Sequence, residues 1–424
     1  MENVKDRIFS PADILEPVFA KDPDAMKKWA VIACDQFTSE PEYWNEAEKM
    51  AGYAPSSLRL TLPEVRLKGD IKDDVAAIHD SMERYIKDGI FKEYKNSYVY
   101  VERTLADGSI RRGLVGAIDL EEYDIFEDSK TPVRASERTV IERIPPRLAV
   151  REGAALELPH VLLLCDDDEN MILGSINKEL LPLIYDFDLM LNGGRIRAWL
   201  LQGRDAEFVT DRVDTYCLKT KEMYAAIGME PVIFAVGDGN HSLATAKANW
   251  VDIKKANPGK DLSDHPARYA LVELENIRDD CQQFQGIHRI ITGTDPKALL
   301  AALLAEIAAV QGENLEEEAV KWFAGDDKGK ASFRLNPGQL SITFLQHFLD
   351  KYLEDHEGSI DYIHGEETVE RLSAKENTIG FALPPFDKTR LFRGIAADGV
   401  CPRKTFSIGH AVEKRYYIEA RKIR

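Results

Sequence analysis

Residues 231–247 read Pro-Val-Ile-Phe-Ala-Val-Gly-Asp-Gly-Asn-His-Ser-Leu-Ala-Thr-Ala-Lys. The apolar run 231–236 predicts the clearest buried strand of the chain, and the residues from about His241 to Trp250 predict a helix directly after it. Gly237 and Gly239 separate the two elements, and glycine permits the positive φ angles and close backbone approach of a tight loop. The stretch therefore predicts a strand–loop–helix unit, and residues 237–242 are called the glycine loop below.

The glycine loop is predicted to bind a phosphate or another small anion. The first N–H groups of a helix have no partner within the helix, and its N-terminus carries a partial positive charge. Asn240, His241 and Ser242 could donate to phosphate oxygens, while Asp238 could orient a hydroxyl or carry a metal. A purely structural role stays open: Asp238 and Asn240 would cap the helix, and the glycines would only make a turn. The density of polar side chains on one loop favours a function.

The rest of the chain mixes strands with helices, which predicts an α+β fold with mixed sheets rather than a regular doubly wound one. The main predicted elements are strands at 29–33, 160–165, 195–201, 207–210 and 378–383, a β-hairpin of 98–103 with 112–118, helices from Pro41 and at 73–88, 295–310 and 369–375, a surface loop at 312–330 and a basic tail at 402–424. Three regions are expected: 1–150, 151–295 with the glycine loop, and 296–424 with a basic loop.

Composition excludes several classes of protein. The chain has 424 residues and a formal net charge of −18, without a dense basic stripe, so an extended nucleic-acid surface is not expected. Its five cysteines are scattered without CxxC spacing, which argues against a zinc ribbon and favours free thiols. The N-terminus lacks the pattern of a signal peptide, and no apolar run approaches the ~20 residues that span a bilayer. A cytoplasmic protein without membrane contact is the expectation.

Four further motifs accompany the glycine loop. They are Ala-Cys-Asp-Gln at 33–36, Arg-Ala-Ser-Glu-Arg at 134–138, Gly-Ile-His-Arg at 286–289 and Val-Cys-Pro-Arg-Lys-Thr at 400–405. With them the chain resembles, over nearly its whole length, the domain-of-unknown-function 1015 family. The Asp-Gly-His-His-Arg segment of that family is similar to the phosphate-binding loop of the ParB/sulfiredoxin superfamily. The resemblance implies a ParB/sulfiredoxin-like core with an additional α/β lobe.

The glycine loop departs from the commoner family pattern at two positions. Asn240 stands in place of the first His, and Ser242 stands in place of the Arg. Loss of that Arg removes a bidentate donor to phosphate, so another cation has to supply the charge or the ligand differs. Arg289, Arg403 and Lys404 are the candidates to supply it.

The candidate catalytic residues are Asp35, Asp238 and His241. Asp35 follows a predicted strand and could act as general base toward a hydroxyl, although an Asx-turn that closes the strand is the structural alternative. The candidate ligand-binding residues are Gly237, Gly239, Asn240, Ser242, Arg134, Arg138, His288, Arg289, Arg403, Lys404 and Thr405. No metal-binding pattern is present, but Mg²⁺ could be held by one or two carboxylates together with the phosphates of a nucleotide or another donor.

Two functions follow from this inventory. The first is an enzyme that transfers a phosphoryl group to or from a small hydroxyl metabolite, since such transfer needs positioning and charge neutralisation above all. Free serine is the first substrate to try, because some members of the similar superfamily are free serine kinases. The alternative is a nucleotide-binding regulatory module of ParB-like type without turnover of a small molecule. The expected partner is a small phosphorylated ligand or a nucleotide, and a homodimer is compatible with the sequence.

Overall fold

The computed structural model describes residues 7–67, 69–126, 128–312 and 314–424. The strands of these ranges are β1 (Phe9–Ser10), β2 (Ala12–Pro17), β3 (Val31–Ile32), β4 (Phe91–Thr104), β5 (Ile110–Asp119), β6 (Tyr123–Asp124), β7 (Val133–Ala135), β8 (Leu156–Glu157), β9 (Val161–Cys165), β10 (Leu183–Asp188), β11 (Arg195–Leu201), β12 (Phe234–Asp238), β13 (Tyr269–Asn276), β14 (Phe284–Gly286), β15 (His288–Thr292), β16 (Glu316–Ala324), β17 (Asp327–Leu335), β18 (Ser359–Ile363), β19 (Thr378–Ala382), β20 (Phe406–Ile408), β21 (Tyr416–Tyr417) and β22 (Arg421–Lys422). The α-helices are α1 (Pro23–Trp29), α2 (Pro41–Ala51), α3 (Lys72–Lys87), α4 (Ile144–Arg151), α5 (Arg204–Ala226), α6 (Asn240–Ala256), α7 (Pro296–Ala309), α8 (Ser341–Asp355), α9 (Glu366–Ser373) and α10 (Leu391–Asp398).

The contacts divide the chain into two compact units. The first unit contains the residues up to Ala135 together with 139–282 and 410–424. The second unit contains residues 136–138 and 283–409. The three contiguous regions expected from the sequence, 1–150, 151–295 and 296–424, stay a prediction.

A large mixed sheet forms the centre of the first unit. Its strand order is β10-β11-β4-β5-β13-β9-β12-β7-β6, and β1 and β2 pair with β5 and β4. The pairs β13–β9, β12–β7 and β6–β7 are parallel, and the remaining pairs of the sheet are antiparallel. This arrangement confirms the predicted mixed sheet and the predicted hairpin of β4 with β5. The ParB/sulfiredoxin-like core stays a prediction.

Both faces of this sheet are covered by apolar side chains. Successive residues of a strand point to opposite faces, and β4 shows the consequence directly. Val99 and Val101 belong to the core that contains Trp29 of α1. Tyr98 and Tyr100 belong to the opposite core, which contains side chains of α5 and α6. Strand β12 therefore runs through the interior and delivers the glycine loop at its carboxyl end.

The second unit is built around a five-stranded sheet of order β17-β16-β19-β15-β18. The prediction of a surface loop at 312–330 is wrong in the described residues, because β16 and β17 form an antiparallel hairpin there. Glu316 and Glu317 of β16 are exposed, and such acidic residues gave that segment the composition of a loop. The inward alternation of Ala331, Phe333 and Leu335 in β17 is the strand signal that the composition obscured.

Three other sequence predictions need correction. Residues 207–210 are not a strand, since they lie within helix α5. Trp29 ends helix α1, so the strand predicted at 29–33 is reduced to Val31–Ile32. The tail from 402 to 424 is not a solvated basic extension, because Lys414, Arg415 and Arg421 are buried. Within the described ranges, every helix is too short or too polar to cross a lipid bilayer.

Candidate functional site

The glycine loop joins β12 to α6 through Gly239. This residue is the N-cap of α6 and has a φ of 82°, in the left-handed region that glycine tolerates best. A Cβ atom at this position would lie 2.9 Å from Cδ2 of His160 and 3.1 Å from Cα of Val161. Glycine is therefore required both by the backbone angle and by the close approach of His160.

The first turn of α6 has no side-chain cap. No side chain accepts a hydrogen bond from its first N–H groups within the described residues, and Asn240, His241 and Ser242 are all half-buried. Oδ2 of Asp238 and Oδ1 of Asn240 are buried and also have no hydrogen-bond partner in the part of the chain that the structure describes. The structural alternative, in which Asp238 and Asn240 cap the helix, is not the arrangement observed. The turn has both donors and acceptors to offer a ligand.

A lysine from residues 410–424, called the C-terminal segment below, reaches the glycine loop. Nζ of Lys414 lies 3.3 Å from Oδ1 of Asp238. The segment is held in place by Arg103, whose guanidinium donates to the carbonyl oxygens of Glu413 and Lys414 at 2.9 and 2.6 Å. Arg111 donates to the carbonyl of Glu413 at 2.6 Å. Lys414 thus brings a positive charge to the glycine loop, where Arg289, Arg403 and Lys404 were the cations expected from the sequence.

Asp35 is the carboxylate of a short chain of polar contacts. Its Oδ2 lies 3.2 Å from Nε2 of His160, and its Oδ1 accepts from Nε2 of Gln36 at 2.9 Å. The other ring nitrogen of His160, Nδ1, lies 2.7 Å from the hydroxyl of Tyr417. That hydroxyl also accepts from the backbone N–H of Cys34 at 3.2 Å. Tyr417 is positioned by β21, which pairs with β3 immediately before Cys34.

The Asp35–His160 contact sets the charge of both groups. Burial alone would raise the pKa of Asp35, but the His160 imidazolium and its hydrogen bond hold that pKa below its usual value. Burial alone would lower the pKa of His160, but the Asp35 carboxylate raises it well above its usual value. The two residues therefore form an ion pair at neutral pH, and Asp35 is ionised.

His241 is neutral at physiological pH. Burial and the nearby cations Arg147 and Arg143 lower the pKa of His241 to about 4. Its Nε2 lies 3.2 Å from the backbone N–H of Val140, and only a deprotonated nitrogen can accept that bond. The ring proton is therefore on Nδ1, so the geometry makes His241 a hydrogen-bond donor rather than the general base of a catalytic pair.

Asp35, His160 and His241 line one cavity of the first unit. Its volume is about 140 Å³. Its polar and charged lining residues are Cys34, Asp35, Thr61, Glu64, Arg147, Arg151, Glu157, His160, His241, Ser242, Thr245 and Tyr417. The hydroxyl of Thr245 is used within α6, since it donates to the carbonyl of His241 at 2.7 Å. The first turn of α6 and the ionised Asp35 thus open into the same space.

The predicted residue Arg134 lies in the first unit but has an internal role. It is 4 % exposed, and its guanidinium donates to the carbonyl oxygens of Thr131 at 2.9 Å and Pro231 at 3.4 Å. Pro231 begins the segment that leads into β12, so Arg134 fixes the approach to the glycine loop. To contact a ligand, Arg134 would have to give up these bonds.

The remaining predicted ligand contacts belong to the second unit. They are Arg138, His288, Arg289, Arg403, Lys404 and Thr405. Arg289 is completely buried, and its guanidinium donates to Oε1 of Gln346 and to the carbonyl oxygens of Ile287 and Lys404. These bonds make Arg289 an internal support of the 403–405 loop instead of an open phosphate clamp. Nδ1 of His288 accepts from the N–H of Leu383 at 3.1 Å.

The loop at 403–405 uses its backbone donors internally. The carboxylate of Glu137 accepts from the N–H groups of Lys404 at 3.1 Å and Thr405 at 3.0 Å. The hydroxyl of Thr405 donates to the carbonyl of Pro402 at 2.6 Å. The side chains of Arg403 and Lys404 are exposed and lie against the ring of Tyr362. Arg138 is also exposed.

Three residues of the candidate site were not predicted from the sequence: His160, Lys414 and Tyr417. His160 was included in a strand without a role. Lys414 was attributed to a solvated tail, although the apolar residues 416–418 beside it were a signal of burial.

The family model described as protein of unknown function (DUF1015) matches residues 15–383. The chain belongs to the DUF1015 family. The match ends before the C-terminal segment, so Lys414 and Tyr417 lie outside the matched residues. The comparison with curated proteins returned no match.

Several solved structures are similar to this DUF1015 protein at low sequence identity. A mutant free serine kinase in complex with ADP is 11 % identical, with 71 % of this chain and 90 % of that chain covered and a TM-score of 0.36. A conserved hypothetical protein from Pyrococcus furiosus is 11 % identical, with 73 % and 94 % covered and a TM-score of 0.33. SbnI with C-terminal truncation from Staphylococcus aureus is 10 % identical, with 70 % and 82 % covered and a TM-score of 0.33. Similarity at these TM-scores does not establish a shared function.

Proposed function

We propose that this protein is a phosphate- or nucleotide-binding enzyme that transfers a phosphoryl group to or from a small hydroxyl metabolite at the glycine loop. One observation carries the proposal: the uncapped first turn of α6 and the ionised carboxylate of Asp35 line a single cavity. A helix N-terminus binds anions through its free N–H groups and its dipole. A carboxylate beside it can hold the hydroxyl that exchanges the phosphoryl group.

The phosphate is bound by the first turn of α6 together with Lys414. The backbone N–H groups of Asn240, His241 and Ser242 and the Nδ1–H of His241 are donors without competing side-chain caps in the described residues. Lys414 contributes the positive charge in place of the arginine that the commoner family loop carries. Its Nζ lies 3.3 Å from Oδ1 of Asp238, and an ammonium group has three N–H donors, so Lys414 can contact a phosphate oxygen while it keeps this ion pair.

Asp35 orients the hydroxyl of the metabolite and receives its proton. A carboxylate with a lowered pKa is a weak base, but phosphoryl transfer passes through a loose transition state that needs positioning more than proton abstraction. The His160 imidazolium fixes the carboxylate and keeps it charged. Tyr417 in turn fixes His160, so the chain of contacts holds the Asp35 carboxylate in place at the cavity.

A divalent cation such as Mg²⁺ fits the same turn. The buried oxygens Asp238 Oδ2 and Asn240 Oδ1 lack partners within the described residues, and carboxylate and amide oxygens are the ligands that Mg²⁺ takes in proteins. No group of three or more His, Cys, Asp or Glu side chains in the described ranges could hold a metal alone. The cation would therefore also depend on phosphate oxygens, whose charge it would neutralise.

The test is ligand binding and turnover by the whole chain. ADP, ATP and pyrophosphate, each with Mg²⁺, are added in a thermal-shift assay, because a ligand of the folded state raises its apparent stability. Phosphoryl transfer from ATP to small alcohols, including free serine, is then followed by ³¹P NMR. Asp35→Asn should bind the phosphate ligand and lose transfer by about 100-fold or more, in the range of general-base contributions.

The control is Asp252→Asn, at an exposed side chain of α6 remote from its first turn, which should keep full transfer. Absence of binding by all three phosphate compounds would show that the glycine loop is only structural. Binding of a nucleotide without transfer to any alcohol would favour the regulatory module of ParB-like type. The ParB/sulfiredoxin-like core, the cytoplasmic location and a homodimer stay predictions.

A further inference from the structure

The cavity at the glycine loop has a lining of mixed character. Its polar groups include Asp35 and Ser242, and its charged pairs include Arg147 and Arg151. Six aliphatic side chains, called the aliphatic wall, also line it: Leu60, Leu62, Met82, Val150, Leu156 and Leu158. Leu60, Leu62, Met82 and Leu156 are each 6 % exposed or less, so their side chains face protein and cavity rather than solvent. A ligand that fills this cavity has one polar end and an apolar body.

The charged side chains that line the cavity already have partners. Arg147 pairs with Glu64. Arg151 pairs with Glu157 at 2.5 Å, and Glu157 also accepts from Arg421 at 2.7 Å. Asp35 is paired with His160 at 3.2 Å. A ligand with its own ammonium and carboxylate groups would have to give up water without gaining an unpaired partner of opposite charge, which is strongly unfavourable.

The size of the cavity limits the ligand as well. An apolar cavity of about 150 Å³ binds a molecule of the size of benzene. Pockets that enclose a drug-sized ligand, comparable with a nucleotide, have volumes of roughly 300 Å³ or more. At about 140 Å³ the cavity accommodates a compound of about six non-hydrogen atoms, so the phosphoanhydride donor would have to lie mainly outside it, with only its terminal phosphoryl group at the first turn of α6.

We infer that the hydroxyl compound of the proposed reaction is an uncharged small aliphatic alcohol, whose carbon skeleton lies against Met82 and the leucines and whose hydroxyl lies between Asp35 and Ser242. The inference rests on the proposed function and narrows its substrate from hydroxyl metabolites in general to apolar alcohols. It also separates this chain from an enzyme for free serine, whose ammonium and carboxylate would meet the aliphatic wall and the paired side chains.

The phosphoryl donor in this reaction is a phosphoanhydride. The alcohol oxygen forms a bond to the terminal phosphorus of the donor, while the bond from that phosphorus to its bridging oxygen breaks. The leaving phosphate or nucleoside diphosphate keeps the electron pair. The proton of the alcohol passes to the Asp35 carboxylate and from there to water. The product is an alkyl phosphate.

The experiment uses two probes of similar size, cyclopentanol and L-serine. Each is titrated by isothermal calorimetry into the full chain saturated with pyrophosphate and Mg²⁺. We expect cyclopentanol to bind at least about tenfold more tightly than L-serine, a difference of about 1.4 kcal/mol. Met82→Gln, which keeps the length of the side chain and adds an amide, should weaken cyclopentanol binding about tenfold. The matched control Met82→Leu should retain it.

Val150→Thr, which keeps the shape of the side chain, serves as a second polar variant if Met82→Gln does not fold. L-serine binding as tightly as cyclopentanol would overturn the inference, and so would equal cyclopentanol affinity in wild type and both polar variants. Pyrophosphate binding without binding of cyclopentanol would overturn it too, while the proposed function would stand. Failure of pyrophosphate to bind would instead refute the proposed function.

Discussion

Nζ of Lys414 lies 3.3 Å from Oδ1 of Asp238, and the two side chains are only 11 % and 17 % exposed. This ion pair joins the C-terminal segment to the glycine loop within the first unit. A buried charge that loses its partner is strongly destabilising, so the contact contributes to stability as well as to the charge of the site.

Lys414→Met should affect stability and phosphate binding together. The variant leaves Asp238 without its cation, so we expect a loss of about 3 kcal/mol in the free energy of unfolding and weaker pyrophosphate binding. Both are measured on one sample, by denaturant unfolding and by calorimetry. Lys422→Met is the control, because Lys422 is 47 % exposed and makes a surface pair with Glu93. Equal pyrophosphate affinity in both variants would show that Lys414 does not contribute to phosphate binding.

Gly239→Ala should lower the free energy of unfolding by more than the strain of its backbone angle alone. A left-handed φ costs a non-glycine residue about 1–2 kcal/mol, and the new Cβ would also press on His160 at 2.9 Å. Gly108 offers a matched control, since its φ of 84° is nearly the same and no atom lies within 4 Å of a Cβ built there. We expect Gly239→Ala to be less stable than Gly108→Ala by at least about 1 kcal/mol, in line with the cost of overpacking. Equal losses in a denaturant titration would mean that His160 can move freely.

His160→Gln should have a pH-dependent cost. The pKa of His160 is raised in the folded state. Its contribution to the stability of the fold is therefore fully present below the unfolded pKa of about 6.5. This contribution is lost as the pH rises through the raised pKa. Asp35 has a lowered pKa, so its contribution is lost only in acid. The variant should therefore be about 3 kcal/mol less stable than wild type near pH 6, and the difference should shrink in alkaline solution. A difference that stays constant from pH 6 to pH 10 would contradict the ion pair.

The contribution of His241 to stability should depend on pH in the opposite direction to that of His160. Its pKa is lowered to about 4, so the folded protein binds fewer protons there than the unfolded chain between about pH 6.5 and pH 4. Wild type should thus lose stability relative to His241→Asn as the pH falls through that range, while the two should run parallel above pH 7. His241→Asn keeps an N–H donor near Nδ1 and should retain most of the pyrophosphate affinity. His241→Phe, without a donor, should not.

Arg289→Met should destabilise the second unit and leave the phosphate affinity of the glycine loop unchanged. The guanidinium is buried and donates to four acceptors, three of them carbonyl oxygens, so its loss should cost about 3 kcal/mol through unpaired carbonyl groups. Arg403→Ala removes an exposed cation from the same region and should cost less than about 0.5 kcal/mol. A loss of pyrophosphate binding in Arg289→Met with unchanged stability would show that Arg289 contacts the phosphate.

The parts of the site that sequence could predict are those encoded locally. The apolar run before Gly237 and the polar residues after it specify a strand, a left-handed turn and a helix N-terminus, and all three are present. Asp35 could be predicted because it follows an apolar segment. Lys414 and Tyr417 could not, since a two-residue strand has no periodicity and its pairing with Val31–Ile32 is decided by tertiary packing. Arg289 was expected in the site but is used internally, because a sequence does not reveal whether a cation points to carbonyl oxygens or to solvent.

The dependence of the glycine loop on Lys414 has a consequence for the newly made chain. Lys414 follows Asp238 by 176 positions, which at roughly 5–20 residues per second is a delay of about 10–35 seconds during translation. Throughout that interval the nascent first unit holds an acidic side chain with no counter-charge, and the cavity wall that Tyr417 supplies is missing. Until Lys414 has been made, the candidate site of the nascent polypeptide would accordingly be incomplete, and this part of the chain would be open to proteases and chaperones.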